Sequence, residues 1–207
     1  MNNVMLIEKP VITKKIKERL YPVVLRQFSM KDFHAVNIRD ISKESGISTG
    51  TIYKYFMSKE DLCFSIIDEK LKDLASLLEM HLQGIEDIRE MFRKLFWVTM
   101  NFFDNNSGLA VIVFITVPLK SFMANKSYKR ETVIDIFNKI IEKAKNKGAI
   151  RSDIEINYFV DIYMMIISRH IQHWYVRGMK WQLADTIDNF FDFFWRGISR
   201  LGGQESN

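Results

Sequence analysis

Hydroxyl, amine and phenol groups crowd one short stretch of this sequence. Ser48, Thr49, Thr51, Tyr53, Lys54 and Tyr55 fall between positions 48 and 55. Ile47, Ile52 and Phe56 are interleaved with them, so a helix over Thr49–Tyr55 puts the apolar residues on one side and the donors on the other. Donors of that kind suit phosphate oxygens and the edges of bases. Enzyme chemistry has no comparable candidate: the chain carries no phosphate-cradling glycine loop, no Gly-x-Ser-x-Gly elbow and no His-Glu-x-x-His pair. Its lone cysteine, Cys63, excludes a multi-cysteine zinc site.

The elements that must hold this stretch are legible from punctuation. Asn37 stands where a helix N-cap is expected, ahead of Ile38 and Ile41, and Gly46 ends that short helix. Ser48 caps a second short helix, and Ser58 with Glu60 and Asp61 opens a long one running to about Leu82. Small Ser42 lets the two short helices approach. Ile41, Ile47, Ile52 and Phe56 seat them on a first helix spanning about Val11 to Phe28, which carries Pro22 in its interior. Two short helices meeting at a glycine turn form a helix-turn-helix.

This segment resembles the DNA-binding domain of TetR-family transcriptional regulators. The matching residues are Ser42, Gly46, Ser48, Gly50, Ile52, Tyr53, Tyr55 and Phe56, followed by Ser58-Lys59-Glu60-Asp61-Leu62. Ser42 and Ser45 replace the alanines common in the family, and Asn37 replaces a common threonine. The resemblance implies a recognition helix at about 48–55 in the major groove. Ser48, Thr49, Thr51 and Lys54 then approach bases or phosphates, Gly50 permits close approach of the backbone, and Tyr53 and Tyr55 touch the DNA backbone or thymine methyls. Asn37 and Lys59 would hold phosphates. Arg39 is a further candidate contact, and Lys9, Lys14 and Lys15 are candidates for the minor groove or flanking phosphates.

Charge agrees with a nucleic-acid module on a separate scaffold. Residues 1–59 hold 11 Lys and Arg against five Asp and Glu, whereas the remaining 148 residues hold 19 against 20. A basic quarter on a nearly neutral body is the footprint expected of DNA binding. With 47% hydrophobic and 27% charged residues the chain has the material for a core. Few prolines and glycines disfavour a turn-rich β-architecture, and one cysteine suits a reducing compartment. Asn105 to Leu119 is the longest uncharged stretch, too short to span a membrane, and the N-terminus does not read as a signal peptide, so a cytoplasmic protein is expected.

Helical periodicity continues through the rest of the chain, with segments expected at about 85–104, 108–117, 129–147, 155–177 and 183–200, and with Asp153 as a candidate N-cap for the fourth of these. The fold class is therefore all-α with about nine helices. It divides into a DNA-binding domain over residues 1–57 and an effector-binding and dimerisation domain over 58–207. The last two helices carry apolar residues over more than one core contact requires. Ile167, Ile171, Ile187, Phe190, Phe194 and Ile198 are the candidate dimer contacts, and the resemblance implies that these helices pair in a four-helix bundle.

The larger domain is rich in methionine and aromatic residues, which line adaptable cavities. Phe96, Met100, Phe103, Phe114, Met123, Tyr163 and Trp174 are candidate effector walls, with Arg169 and His170 as partners for an anionic head group. The expected function is a homodimeric repressor of a palindromic operator, released by a small hydrophobic effector such as a fatty acyl compound or a bulky aromatic drug. No cofactor, metal or membrane partner is expected. A nonspecific architectural DNA-binding protein without an effector, and a lipid carrier or enzyme with a vestigial helix-turn-helix, are the alternatives.

Overall fold

A computed structural model describes residues 10–124 and 131–200, with side chains described for all of these except 123, 124 and 131–133. The described residues form ten α-helices: α1 (Lys14–Met30), α2 (Ile38–Ser45), α3 (Thr49–Tyr55), α4 (Lys59–Leu82), α5 (Ile88–Asn105), α6 (Ser107–Val111), α7 (Leu119–Ala124), α8 (Glu131–Asn146), α9 (Ile156–Val176) and α10 (Asp188–Ile198). A π-helical turn, Ile112–Thr116, continues α6, and a 3-10 turn, Leu183–Thr186, precedes α10.

The expected boundaries hold closely at the front. Asn37 Oδ1 accepts from the Asp40 N–H, Ser48 Oγ from Thr51 and Ser58 Oγ from Asp61, so all three expected caps close their helices. Gly46 ends α2 in the left-handed region, φ 64°, which a side-chain-bearing residue rarely adopts. Pro22 lies inside α1, which nevertheless continues unbroken to Met30. Differences appear toward the other end. A short helix absent from the expected segments, α7, follows Pro118, whose carbonyl accepts from Ser121 and Phe122, while the preceding helical run ends at Thr116. Asp153 caps nothing: it binds Arg151, and α9 starts after Glu155 without a side-chain cap.

The core is aromatic and centred on α5. Phe92, Phe96, Phe159, Tyr163, Phe191 and Phe194 are buried together from α5, α9 and α10. Phe96 lies 4.8 Å from the rings of both Tyr163 and Phe194, in the tilted and edge-on geometries that aromatic rings favour. At the far end of α5, Asp104 accepts from the N–H groups of Leu183 and Ala184, tying the α9–α10 connection to α5. A hydrogen bond from Thr116 Oγ1 to the Phe28 carbonyl joins the π turn to the end of α1. Among the described residues no single helix is long and apolar enough to cross a membrane.

Candidate nucleic-acid interface

The helix-turn-helix is seated by its apolar side. Ile38, Ile41, Ile47, Ile52 and Phe56 are buried against Leu20, Val24 and Phe28 of α1. Hydrophobic burial therefore fixes which side of α3 faces outward, and that side carries the donors. Tyr53 is 56% exposed, Lys54 and Gly50 are exposed and Thr49 is half-buried. Tyr55 is half-buried against the core, so only its edge is available, while Phe56 is fully committed to packing.

Not every donor there is free. Ser48 Oγ accepts from the Thr51 N–H at 3.1 Å and lies 2.8 Å from Thr51 Oγ1. The two hydroxyls thus hold each other at the start of α3, and only their remaining lone pairs and protons reach outward. Asn37 is similarly engaged, its Oδ1 accepting from Asp40 N–H and its Nδ2 donating to Asp40 Oδ2. It is exposed, with one amide proton left for a phosphate.

The two acids of α2 are already paired. Glu44 pairs with Arg26 and accepts from Gln27 Nε2 at 2.6 Å, and Asp40 pairs with Lys31 at 3.4 Å. Among the described residues, Arg39, Lys43 and Lys54 have no carboxylate partner, and the only contact Lys54 makes is over the Tyr55 ring at 5.8 Å. Lys15 is exposed on the first turn of α1, while Lys14 stands 3.9 Å from Glu18; Lys9 lies outside the described residues. Arg19 was not singled out in the sequence, yet its guanidinium donates to the Gly46 carbonyl at 3.1 Å and clamps the turn from α1. The signal was a basic residue immediately before the buried Leu20, which periodicity alone does not connect to a distant turn.

Lys59 corrects the expectation placed on it. Its ammonium donates to the carbonyls of Phe33, His34 and Val36 at 3.1, 2.8 and 2.9 Å. An ammonium has three protons, so all are spent on closing the α1–α2 connection and none remains for a phosphate.

The expected effector walls are also placed differently. Phe96, Met100, Phe103, Tyr163 and Trp174 are buried in contact with other core side chains and fill the volume they were expected to surround. Tyr163 donates to Thr99 Oγ1 at 2.6 Å, and burial pushes its phenol above the ordinary range. Trp174 donates from Nε1 to the Trp181 carbonyl at 2.8 Å. Phe114 is half-buried on the π turn beside Phe103, and the Met123 side chain lies outside the described residues. Two pockets open away from these walls, the first at Arg169 and His170, the expected head-group partners. One, of about 160 Å³, is lined by Arg169, His170 and His173. The other, of about 270 Å³, lies between α4, α5 and α8 beside Leu82, Met91, Ile136 and Ile140.

The expected dimer contacts need the same correction. Ile167, Ile171, Ile187, Phe194 and Ile198 are buried within the protomer, and Phe190 is half-buried against Phe96 and His170. Their side chains face the protomer's own core, which takes whichever helical stripe is nearer α5. The opposite side of α9 is the apolar one left outside: Tyr158, Ile162, Met165 and Val176 are 65, 40, 63 and 79% exposed, and Phe193 on α10 is 82% exposed. Helical spacing places the four α9 residues on one stripe.

Known proteins carry the same front-end arrangement. Residues 24–66 match the family model described as bacterial regulatory proteins, tetR family. The fatty acid metabolism regulator protein of Bacillus subtilis (strain 168) is 18% identical over 168 residues, covering 80% of this chain and 87% of that protein. Among solved structures, the fatty acid degradation regulator FadR from Bacillus halodurans superposes with a TM-score of 0.81 at 14% identity, covering 95% of this chain and 100% of that one. FadR from Bacillus subtilis, in complex with stearoyl-CoA, gives 0.78 at 17% identity, covering 87% and 98%. These structural likenesses carry the fold, and the sequence match covers the helix-turn-helix. Over residues 24–66 the chain carries the DNA-binding module of the tetR family of bacterial regulatory proteins.

Proposed function

We propose that the protein is a homodimeric repressor that reads a palindromic operator and is released by a fatty acyl effector. The outward face of α3 supports operator reading most directly. It presents Thr49, Tyr53 and Lys54 beside Arg39 and Lys43 of α2, which have no carboxylate partner among the described residues, while the α2 acids Asp40 and Glu44 pair with Lys31 and Arg26. One short recognition helix covers few base pairs, so a two-fold pair reading half-sites about 34–36 Å apart, or a multiple of that, supplies the specificity. The pairing surface is the exposed stripe of Tyr158, Ile162, Met165 and Val176 on α9, with Phe193 on α10. Exposed apolar area of this kind, concentrated on one face, marks an interface.

The reading divides the chain into a DNA-binding domain over 1–57 and an effector-binding and dimerisation domain over 58–207, with α4 as the link. Likeness to a fatty acid metabolism regulator, and to a FadR that holds stearoyl-CoA, favours an acyl effector over a bulky drug. Binding would shift the population toward a dimer whose recognition helices are wrongly spaced, weakening DNA binding by the effector's differential affinity. Fluorescence anisotropy on an inverted repeat taken from beside the protein's own gene, in 0.2 M salt, tests this. Tight binding to that duplex, at least a hundredfold weaker binding to a shuffled one, and release by stearoyl-CoA are expected. Equal affinity for both duplexes, or indifference to stearoyl-CoA, sinks the corresponding half.

A further inference from the structure

One cation sits where its surroundings do not suit it. On the outer stripe of α9, Arg169 follows Met165 by four residues and precedes Val176 by seven, so it stands within the apolar face. Three acids of neighbouring elements are committed elsewhere: Asp104 to the Leu183 and Ala184 N–H groups, Asp188 to Arg93 and Asp192 to Arg89. Among the described residues Arg169 has no carboxylate partner. Covering an unpaired guanidinium with a second protomer is strongly unfavourable unless an anion joins it.

Space for that anion is present. Arg169, His170 and His173 line a pocket of about 160 Å³. Arg169 and His173 are one turn apart on the same face, so both can donate into it. His170 forms the wall: its ring lies 4.3 Å from Phe190, and its Nδ1 lies 3.2 Å from the Ile166 carbonyl, to which the neutral ring donates. Burial against these groups holds His170 below the usual imidazole range, consistent with that neutral role. Size sets the ligand. At about 30 Å³ per water the pocket holds roughly five waters, enough for a phosphate or carboxylate group but well below the ~300–1,000 Å³ that encloses a whole drug-sized ligand.

We propose that the Arg169–His173 pocket is an oxyanion subsite that takes the charged end of the effector, the phosphates of an acyl-CoA or the carboxylate of a fatty acid, at the face where two protomers meet. This rests on the effector reading above and adds to it where the charge is held. An effector bound there touches the pairing surface itself, so its binding and the relative placement of the protomers are coupled.

Titration calorimetry on the full-length protein tests it, with stearoyl-CoA, coenzyme A, stearate and uncharged methyl stearate as probes. Wild type, Arg169→Gln, Arg169→Lys and His173→Gln are compared, each first checked for folding by thermal melt and for assembly by light scattering. The expected result is at least a tenfold loss of affinity for one anionic class in Arg169→Gln, partial recovery in Arg169→Lys, and unchanged binding of methyl stearate. Loss confined to the CoA probes identifies phosphate as the anion, and loss confined to stearate identifies carboxylate. If stearoyl-CoA still releases operator from the wild type while Arg169→Gln and His173→Gln bind every probe within twofold of it, the subsite is wrong and the effector reading survives. If the wild type binds none of the probes, both fall. Asp161 is an exposed acid two turns before Arg169 on α9; if Arg169→Gln disrupts assembly, Asp161→Asn disrupts it equally and the double variant is no worse than either, a carboxylate across the interface fills the role and the subsite is overturned.

Discussion

The ammonium of Lys17 on α1 stands 2.7 Å from both carboxylate oxygens of Glu69 on α4, and the Tyr21 hydroxyl donates to Glu69 Oε2 at 2.9 Å. This pins the DNA-reading part to the helix that continues into the larger part. Partial burial raises the Glu69 pKa, but the hydrogen bonds from Lys17 and Tyr21 outweigh it and hold the carboxyl below its usual range.

A depressed carboxyl contributes stability that is present above the unfolded value of about 4.3 and is lost as pH falls through the lower folded value. Glu69→Gln should therefore lower the melting temperature at neutral pH, and the difference from wild type should shrink below pH 4. With 40% of the Glu69 side chain exposed, solvent screening keeps the effect to about 1 kcal/mol, or roughly 2–4 °C in a chain of this size. A pH series of thermal melts checks it; a gap that widens in acid would contradict the assignment.

Lys59 offers a separation of structure from DNA contact. Lys59→Met leaves the Phe33, His34 and Val36 carbonyls without their donor and should cost about 1–3 kcal/mol of stability. A phosphate contact would also lower the slope of log affinity against log salt by about 0.9. Chemical denaturation should show the loss, while operator titrations of the folded protein from 50 to 200 mM salt should keep the wild-type slope.

The recognition face makes the opposite prediction. Lys54 is exposed, and among the described residues its charge meets only the Tyr55 ring. Lys54→Ala should leave the melting temperature within about 1 °C, since surface substitutions stay within roughly 0.5 kcal/mol. It should nevertheless weaken operator binding and reduce the salt slope by about 0.9. Tyr53→Ala should weaken binding with equally little effect on folding. Wild-type affinity in both would remove α3 as the reading element.

Sequence and structure part company for identifiable reasons. The helix-turn-helix was legible because its signals are local: Asn37, Ser48 and Ser58 cap within three residues of themselves, and Gly46 takes a backbone conformation that favours glycine. Lys59 was misread because its partners lie 23 to 26 residues away, and no spacing rule connects an ammonium with carbonyls across a fold. The π turn over Ile112–Thr116 is rich in β-branched residues, but its altered winding shows only in the backbone, where the Val117 N–H donates to the Ile112 carbonyl five residues back. On α9, two apolar stripes were visible. Which one met the core depended on α5, and α5 cannot be placed from periodicity alone.

That last ambiguity yields a decisive pair of substitutions. Ile167 is 1% exposed and Met165 is 63% exposed, two residues apart on one helix. Ile167→Ala removes buried methyl groups and should cost about 2–5 kcal/mol of stability. Because unfolding and dissociation are linked in a dimer, its assembly should be measured well below its melting temperature, where it is expected to match wild type. Met165→Glu adds a charge to the outer stripe. The isolated protomer keeps its core, so far-ultraviolet circular dichroism should be unchanged, but light scattering at micromolar concentration should report the monomer mass. If pairing instead used the stripe first read from the sequence, Ile167→Ala would dissociate the protein and Met165→Glu would not. A dimer that survives Met165→Glu and Ile162→Glu together rules out the outer face of α9.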